Sequence, residues 1–514
     1  MKTEGRYAWI IARTIAVVIR QSHTMKNKFY ITTPLYYVNS PPHIGHSYTT
    51  VAADTLARFH RNMGDEVYFL TGSDEHGQKI AKAAASAGLS EKAFTDNMVS
   101  IFIGLWKSLD ISYDDFIRTT DKRHSAAVEL VLTILHKNKD IYMDTYEGWY
   151  CTPCETFWTD MQVSQDCCPD CRRALERIRE DNYFFRLSYY QQWLIEYIQS
   201  HPDFIRPVSR YNEVLSFLTT NTLTDLCISR PKSRLKWGIE IPFSTGHVTY
   251  VWFDALINYI SAVGFGYDEA KFKKYWPADL HLIGKDILRQ HAIYWPIILK
   301  ALGLSLPKMI FAHGWWMVGK DKMSKSRGNV IDPLRLVDAY GVDTYRYFLL
   351  RDVPFGLDGT FSNEAIIKRK NSDLANDWGN LTHRTATMVE KYFSGKLPEQ
   401  GSIKENQLKR DNDNLEAQLR KALEAVDFTA GLDALWLVIK EANKFIEDTK
   451  PWNLLKENKT EELNSFIMLL VSVIRNVSRA LTNFMPQSAK SISEQFASNI
   501  IKKGVPLFPR IEVK

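Results

Sequence analysis

The start of the chain alternates between strand-like runs and a helical stripe. Residues 29–33 and 66–71 are rich in β-branched and aromatic side chains, the composition of buried strands. Between them a helix is predicted from Ser47, because Val51 and Phe59 lie two turns apart on one apolar face. The order of strand, helix and strand predicts the crossover unit of a parallel, doubly wound sheet.

Further along, the strand-like pattern returns and is then replaced by a helical one. Residues 248–253 and 281–286 predict a second half of the sheet. After about Ser362 such runs become scarce, and stripes such as Leu415 with Leu419 are typical of packed helices. The predicted fold class is α/β: a Rossmann-like doubly wound parallel sheet whose two halves are separated by an inserted segment, followed by a C-terminal α-helical bundle.

Length and composition narrow the class of protein. With 514 residues the chain is too long for one core, and about three or four domains are expected. Hydrophobic residues at 45% and charged residues at 24% are ordinary for globular proteins and exclude a fibrous or largely disordered chain. Apolar runs fall short of the roughly 18 residues of a membrane span. The net charge of +6 is too small to identify a partner.

The first residues of the chain have two interpretations. Residues 1–24 carry arginines and almost no acid, which resembles a transit peptide, but Met25 with the basic stretch after it is an equally good start. We expect residues 1–27 to form an extension outside the fold. The predicted location is cytoplasmic, with an organellar location as the alternative if the extension is a real transit peptide.

Cysteines cluster in one short segment. Cys151 and Cys154 form one C-x-x-C pair, and Cys168 and Cys171 form a second. Four thiolates at this spacing complete the tetrahedral shell of Zn²⁺ and leave no position for water, so the sequence predicts one structural zinc ion in a knuckle. Cys167 is a spare that could replace Cys168, although the spacing favours Cys168. Without an export signal, a metal fits better than disulfides.

The loop after the first strand ends in residues suited to phosphate. His43, Gly45 and His46 stand where the predicted helix begins, and a helix start offers unpaired N–H groups to anions. The imidazoles can donate to phosphate oxygens, and the glycine lets a nucleotide approach the backbone. Asp74, at the end of the second strand, could hold an ammonium group. The alternative is that the histidines only cap the helix and Asp74 is a turn residue.

A second basic segment lies far downstream. Residues 320–328 hold Lys322 and Lys325 among serines and glycines, and like charges this dense repel one another until an anion neutralises them. The phosphates of ATP would do so; a solvated basic loop is the alternative. The chain contains no Gly-x-x-x-x-Gly-Lys-Ser/Thr sequence, so a P-loop is excluded.

Taken together, these residues resemble one known family. The His43–Ile44–Gly45–His46 and Lys-Met-Ser-Lys-Ser signatures, the Ser-Asp-Glu-His-Gly turn, the knuckle and residues 252–259 resemble class I aminoacyl-tRNA synthetases, specifically the methionyl-tRNA synthetases. The resemblance implies activation of L-methionine by ATP with Mg²⁺, release of pyrophosphate, and transfer of methionine to the 3′-terminal adenosine of tRNA(Met) with a CAU anticodon. It also favours a monomer, because the dimerisation module of some relatives does not follow.

The resemblance also implies four sets of site residues. The catalytic residues would be His43, His46, Lys322 and Lys325. ATP would be bound by these four with Gly45, Gly284 and Asp286. The methionine ammonium would pair with Asp74, and the side chain would lie among Leu35, Tyr37, Trp252, Ala255, Leu256, Tyr259, Ile287, His291 and Trp295. Tyr259 and His291 would contact the sulfur. The anticodon would be read by Asn380, Arg384 and Trp452.

The implied domains follow one another along the chain. The extension (1–27) precedes the first half of the catalytic domain (28–115), a connective domain (116–245) with the knuckle at 151–171, and the second catalytic half (246–318). The lysine-signature loop with a stem-contact region (319–365) and a helical anticodon-binding domain (366–514) complete the chain.

Two other functions compete with this interpretation. The leucine, isoleucine and valine synthetases carry a large editing insertion, for which the interval between His46 and Lys322 leaves little room. A tRNA-binding protein without catalysis is the second competitor. Against it, both histidines, Asp74 and both signature lysines are present.

Overall fold

The computed structural model describes residues 27–151, 156–158, 163, 165–169, 172–319, 321–322, 331–398 and 405–512. The extension predicted before Lys28 lies outside these residues except for its last residue. Cys154, Cys171 and Lys325 also lie outside them. Within the described residues, no helix is both long and apolar enough to cross a membrane.

The strands form one large sheet and several small ones. In chain order they are β1 (Lys28–Thr32), β2 (Tyr36–Tyr37), β3 (Glu66–Asp74), β4 (Asp115–Arg118), β5 (Ile141–Cys151), β6 (Thr156–Trp158), β7 (Glu176–Phe185), β8 (Ile205–Arg206), β9 (Leu226–Cys227), β10 (Ser229–Pro231), β11 (Glu240–Ile241), β12 (Ser244–Thr249), β13 (Leu280–Gly284), β14 (Ile310–His313), β15 (Trp316–Val318), β16 (Asp321–Lys322) and β17 (Gly359–Thr360).

The helices flank the large sheet and then make up most of the remaining chain. They are α1 (Ile44–Asn62), α2 (Gln78–Ser86), α3 (Glu91–Ser108), α4 (Lys122–Lys137), α5 (Gln191–Ser200), α6 (Val208–Thr220), α7 (Val251–Leu256), α8 (Asn258–Ser261), α9 (Glu269–Tyr275), α10 (Trp295–Ala301), α11 (Pro333–Tyr340), α12 (Val342–Arg351), α13 (Asn363–Arg369), α14 (Asn380–Phe393), α15 (Gln407–Glu424), α16 (Phe428–Thr449), α17 (Pro451–Lys456), α18 (Thr460–Leu481) and α19 (Pro486–Gln495).

The large sheet is parallel and doubly wound, as predicted. Its spatial order is β4-β3-β1-β13-β14-β8, and β2 pairs with the carboxyl end of β3. The strands that follow β1 first lie on one side of it, and β13 and β14 lie on the other, so the winding reverses between β1 and β13. Ligands of such sheets bind beyond the carboxyl ends of the strands at this reversal.

One predicted strand is wrong in its second half. Over residues 248–253, β12 ends early and α7 begins at Val251. Moreover, β12 belongs to a small antiparallel sheet with β10 and β11 rather than to the parallel one. A helix forms here because Asp254, one turn into it, is bonded to the buried side chains of His76 and His124, a tertiary constraint that an apolar run does not reveal.

Cys151, the first of the clustered cysteines, lies at the end of a long antiparallel strand pair. Strands β5 and β7 pair antiparallel from Ile141 opposite Phe185 to Tyr150 opposite Glu176. Cys151 is the last residue of β5 and is fully buried. With β6 and β9 the two strands form a four-stranded sheet that is separate from the large parallel one.

Each face of the large sheet contributes to its own core. Alternate strand residues belong to different clusters: Ile31, Phe69 and Leu282 to one, Tyr30 and Ile283 to the other. The first cluster also contains α1 and the helices after α12, whose predicted apolar stripes are buried. The signature-bearing helix α1 and the helical region thus share one core.

A buried ion pair joins α1 to α12. Arg346 Nη2 lies 2.7 Å from Asp54 Oδ2, and neither side chain is exposed. The other oxygen of Asp54 accepts the N–H and the hydroxyl of Ser112 at 2.7 and 2.6 Å. Arg346 Nε donates to the carbonyl of Phe484 at 2.9 Å. Burial raises the pKa of Asp54, but the positive charges of Arg346 and Arg58 outweigh this effect and bring it below its ordinary value.

We expect Arg346→Met to destabilise the protein strongly, because it removes the fully buried one of the two arginines that pair with Asp54. Removing one member of a buried pair costs about 3–5 kcal/mol. Arg420→Met is the matched control, since Arg420 and Glu424 form a pair in which both side chains are about half exposed. Denaturant midpoints should fall only for Arg346→Met; equal midpoints for both variants would contradict the importance of this pair.

Candidate active site

The two histidines of the first signature form a reciprocal cap at the start of α1. His43 Nδ1 accepts the N–H of Gly45, and His46 Nδ1 accepts the N–H of His43, both at 3.1 Å. The rings stack with centroids 3.9 Å apart. Because Nδ1 accepts in each ring, the proton of the neutral imidazole is on Nε2, which can donate to a ligand. Capping, the alternative role, is thus real and compatible with phosphate binding.

The opposite wall is the end of β13. Asp286 lies in a 3₁₀ turn, Lys285–Ile287, that follows Gly284 directly. A Cβ on Gly284 would approach Asp286 Oδ1 to 2.6 Å. The glycine therefore makes room for the carboxylate, which folds back over it.

A neutral histidine–tyrosine pair lines the same cleft. His291 Nδ1 donates to the carbonyl of Ile287 at 2.9 Å, so Nε2 accepts the hydroxyl of Tyr259 at 2.7 Å. Burial lowers the pKa of His291 to about 4 and raises that of Tyr259 far above its ordinary value. Both groups are uncharged near neutral pH, and the Tyr259 oxygen keeps its lone pairs as an acceptor.

Helix α7 supplies an apolar wall and is anchored from behind. This helix carries Trp252, Ala255 and Leu256, which the sequence analysis predicts to contact a methionine side chain. On the same helix, Asp254 Oδ2 lies 2.6 Å from His76 Nδ1, and Oδ1 lies 2.7 Å from His124 Nε2, all three side chains being buried. Burial raises the pKa of Asp254, but the two histidines bring it below its ordinary value. The cluster fixes the helix that carries the wall.

A cleft of about 580 Å³ opens between these walls. It is lined by most of the predicted nucleotide and methionine residues: Leu35, Tyr37, His43, Gly45, His46, Asp74, Trp252, Ala255, Leu256, Tyr259, Gly284, Asp286, Ile287 and His291. Segments from both halves of the sheet thus share one cavity at the point where the winding reverses.

Trp295 does not line this cleft. It is fully buried, and its indole donates to His281 Nε2 at 3.2 Å. The spacing of Ile287, His291 and Trp295 predicts one α-helical face, but residues Gln290–Tyr294 form a π-helical turn. The wider turn rotates Trp295 away from the cleft. Its ring packs behind Tyr259, with centroids 5.8 Å apart.

The lysine signature begins close to the cleft. Trp316 lines the cleft and starts β15, which pairs antiparallel with β16, so that Met317 lies opposite Lys322. The described part of the signature, Lys322, is thus paired with a strand that starts at a cleft-lining residue. Lys325 lies outside the described residues.

Several lining residues were missed by the sequence analysis, namely Asn39, Ser40, Thr49, Lys79, Asn258, His313, Trp315 and Trp316. His313 Nδ1 donates to the carbonyl of Gly314 at 2.7 Å, and Nε2 accepts the hydroxyl of Thr49 at 2.6 Å, which ties β14 to α1. Burial lowers the pKa of His313. The signal in the sequence that could have identified His313 is its position at the end of a parallel strand.

The residues predicted to read an anticodon lie on another part of the molecule. Asn380 and Arg384 are one turn apart on α14, and Arg384 Nη1 lies 2.7 Å from Glu447 Oε1 near the end of α16. Trp452, on α17, is 40% exposed. They belong to the helical region, and none of the three lines the cleft.

Comparison with known proteins decides the family. The family model described as "tRNA synthetases class I (M)" matches residues 29–386. The methionine–tRNA ligase of Caldanaerobacter subterraneus is 50% identical over 95% of this chain and 80% of the relative. The chain belongs to the methionyl-tRNA synthetase family.

Other methionyl-tRNA synthetases agree in sequence and structure. The enzyme of Clostridium acetobutylicum is 48% identical over 95% of this chain and 79% of its own length. The Mycobacterium tuberculosis methionyl-tRNA synthetase in complex with methionyl-adenylate superposes with a TM-score of 0.90 at 40% identity, covering 94% of this chain and all of that one. The predicted family and the predicted α/β fold with a helical C-terminal region are confirmed.

We expect the stability of the protein to fall as the pH decreases from about 6.5 toward 4. Burial lowers the pKa of His281, His291 and His313, so below pH 6.5 the unfolded chain binds more protons than the folded one. His291→Gln removes one such group and should flatten the slope by at most about 1.4 kcal/mol per pH unit. Denaturant midpoints from about pH 7.5 to 5 measure this, with exposed His201→Gln as control. An unchanged slope in His291→Gln would contradict a depressed pKa there.

Proposed function

We propose that the cleft holds L-methionine and ATP side by side and that the residues lining it place the two reacting groups. As a methionyl-tRNA synthetase, the chain forms methionyl-adenylate with release of pyrophosphate and then transfers methionine to the 3′-terminal adenosine of tRNA(Met). The observation that best supports this use of the cleft is that the capped start of α1 and the carboxylate of Asp286 face one cavity from opposite sides of the switch point.

The nucleotide part of the proposal uses the groups at the switch point. His43 and His46 donate from Nε2 to phosphate oxygens, and Gly45 lets the nucleotide lie against the backbone. Asp286 accepts from the ribose hydroxyls, and Gly284 gives its carboxylate space. Lys322, on β16, and Lys325, further along the same signature, neutralise charge that builds on the departing phosphates. A magnesium ion bound with ATP supplies further charge neutralisation.

The amino-acid part uses the pocket beside α7. Asp74, at the end of β3 and only 7% exposed, pairs with the methionine ammonium. The side chain enters among Leu35, Tyr37, Trp252, Ala255, Leu256, Ile287 and the Tyr259–His291 pair. That pair is neutral and polar and can contact a thioether sulfur. It therefore favours methionine over a purely aliphatic side chain, which has no sulfur to make this contact. Trp295 contributes from behind by supporting the Tyr259 ring.

The chemistry then follows from placement. A carboxylate oxygen of methionine forms a bond to the α-phosphorus while the bond to the pyrophosphate oxygen breaks. In the second step the terminal ribose hydroxyl of the tRNA attacks the carbonyl carbon, and AMP leaves. No covalent bond to the protein is needed, so the residues act by orientation and charge stabilisation.

The cysteine segment is proposed to bind one structural zinc ion through Cys151, Cys154, Cys168 and Cys171. Cys151, at the end of β5, and Cys168 are both buried. The N–H of Cys168 donates to the carbonyl of Arg173, and its carbonyl accepts the N–H of Arg172, each at 2.8 Å, which is a tight turn. The deeper burial of Cys168 than Cys167 supports Cys168 as the ligand. Four thiolates leave no open position, so this ion would stabilise the fold.

The remaining assignments stay predictions. The division into the six segments given above, the monomeric state and the cytoplasmic location follow from the sequence pattern. The CAU anticodon is proposed to meet Asn380, Arg384 and Trp452. Trp452 offers an exposed ring for a base, and Arg384 offers charge for a phosphate or a base edge.

Methionine-dependent exchange of labelled pyrophosphate into ATP tests the proposed site. We expect Lys325→Ala to reduce exchange by on the order of 10²-fold or more, by analogy with the loss of one oxyanion donor, and to leave the methionine dissociation constant unchanged. Lys308→Ala is the control. Lys308 pairs with Asp279, which directly precedes β13 and so lies at the amino end of that strand, opposite the cleft. Undiminished exchange in Lys325→Ala would remove this residue from the mechanism.

Aminoacylation kinetics test the anticodon surface. Trp452→Ala should raise the KM for tRNA about tenfold, because stacking of one base on an aromatic ring contributes about 1–3 kcal/mol. Pyrophosphate exchange should stay at the wild-type rate, since the ring is remote from the cleft. Arg420→Ala on α15 serves as the matched surface control. A Trp452→Ala protein that charges tRNA normally would rule out the stacking role.

A further inference from the structure

The carboxylate proposed to bind the ribose is itself held by a tryptophan. Trp315 Nε1 donates to Asp286 Oδ1 at 3.2 Å, and both residues line the cleft. The same oxygen is the atom that a Cβ on Gly284 would approach to 2.6 Å. One carboxylate oxygen is therefore fixed between the glycine and the indole N–H. A carboxylate has two oxygens with about four acceptor positions, so it can accept several hydrogen bonds at once.

Trp315 is in turn held by an ion pair. Its backbone N–H donates to Asp358 Oδ1 at 2.9 Å, and Asp358 Oδ2 accepts from Lys285 Nζ at 2.6 Å. Lys285 Nζ also lies 4.1 Å from the centroid of the Trp315 ring, a cation–π contact. Because Lys285 and Asp286 are consecutive, these contacts close a ring of four residues around the end of β13.

A glycine allows this arrangement to close. A Cβ on Gly314 would lie 2.2 Å from the carbonyl oxygen of Leu357 and 2.7 Å from the backbone nitrogen of Asp358. Only a residue without a side chain lets these two segments approach so closely. The approach brings Asp358 to the Trp315 backbone and so determines where the indole lies.

In the chain, Trp315 lies where the large parallel sheet ends and the hairpin that carries Lys322 begins. It stands between β14, the neighbour of β13 in the parallel sheet, and β15, whose hairpin partner β16 ends at Lys322. Trp315 thus connects the start of the β15–β16 hairpin with Asp286, the carboxylate proposed to bind the ribose.

We infer that Trp315 is a positioning residue for ATP: its indole N–H holds the Asp286 carboxylate in the orientation that accepts the ribose hydroxyls. The inference rests on the proposed contact between Asp286 and the ribose. Trp315 acts through Asp286 and takes no part in the transfer itself. Its loss should weaken nucleotide binding and the recognition of the ribose, while methionine binding, at the far end of the cleft, stays intact.

Trp315→Phe is the decisive variant, because it removes the N–H and keeps an aromatic ring for Lys285. We expect the KM for ATP in methionine-dependent pyrophosphate exchange to rise about tenfold, the scale of one hydrogen bond to a charged group, with kcat changed less than about twofold. The preference for ATP over 2′-deoxy-ATP, expressed as the ratio of kcat/KM values, should fall severalfold. The methionine dissociation constant, measured without ATP, should equal that of the wild type.

Two further variants distinguish a loss of Asp286 positioning from a general disturbance of the structure. Trp193→Phe is the matched control, since Trp193 also has a lysine above its ring, Lys300 at 5.1 Å, but lies outside the cleft. It should behave as the wild type. In an Asp286→Ala background, Trp315→Phe should have no further effect on the KM for ATP, because the group that it positions is gone.

The outcomes distinguish this inference from the role of Asp286. If wild type shows no preference for ATP over 2′-deoxy-ATP and Asp286→Ala leaves the KM for ATP unchanged, Asp286 does not bind the ribose, and the inference about Trp315 is overturned with it. If Asp286→Ala raises this KM and removes the preference but Trp315→Phe does neither, the Asp286 contact stands and the inference about Trp315 alone is overturned. A tenfold effect of Trp315→Phe that persists in the Asp286→Ala background would likewise overturn it.

Discussion

The reciprocal cap at the start of α1 is the interaction on which the site depends. Two imidazoles use their Nδ1 atoms to satisfy backbone N–H groups that a helix start otherwise leaves unpaired. This fixes the first turn and, in each ring, the nitrogen that carries the proton. The remaining walls of the cleft, from β3, β13 and α7, are all arranged around that fixed helix end. A site that stabilises developing charge needs such rigidity, because its donors must be in place before the charge develops.

Rigidity behind the lining comes from buried polar contacts rather than from apolar packing alone. Asp254 with two histidines anchors α7, the hydroxyl of Thr49 ties α1 to β14 through His313, and Asp54 with Arg346 joins α1 to the helical region. Hydrogen bonds are directional, so each of these contacts fixes an orientation as well as a distance. The segments joined are far apart in sequence, and the cleft is therefore a product of tertiary structure throughout.

The sequence predicted much of the fold and of the cleft, for reasons that can be stated residue by residue. His43 and Asp74 were found because they follow strand-like runs, and parallel strands place their ends at one edge. Trp315 and Thr49 were missed because they act through partners, Asp286 and His313, whose proximity no local pattern encodes. The second half of the strand predicted over residues 248–253 was wrong because a buried carboxylate decided the local structure.

The π-helical turn Gln290–Tyr294 has a consequence for how one helix serves two surfaces. A turn of this kind contains one residue more than an α-helical turn, and each residue of an α-helix advances by about 100° around the axis. Side chains before and after the turn are therefore out of phase. His291, within the turn, lines the cleft, while Trp295, the first residue after it, is buried in the interior and supports the cleft from behind through Tyr259. Deleting a single residue there would bring both back onto one face and force them to compete for it.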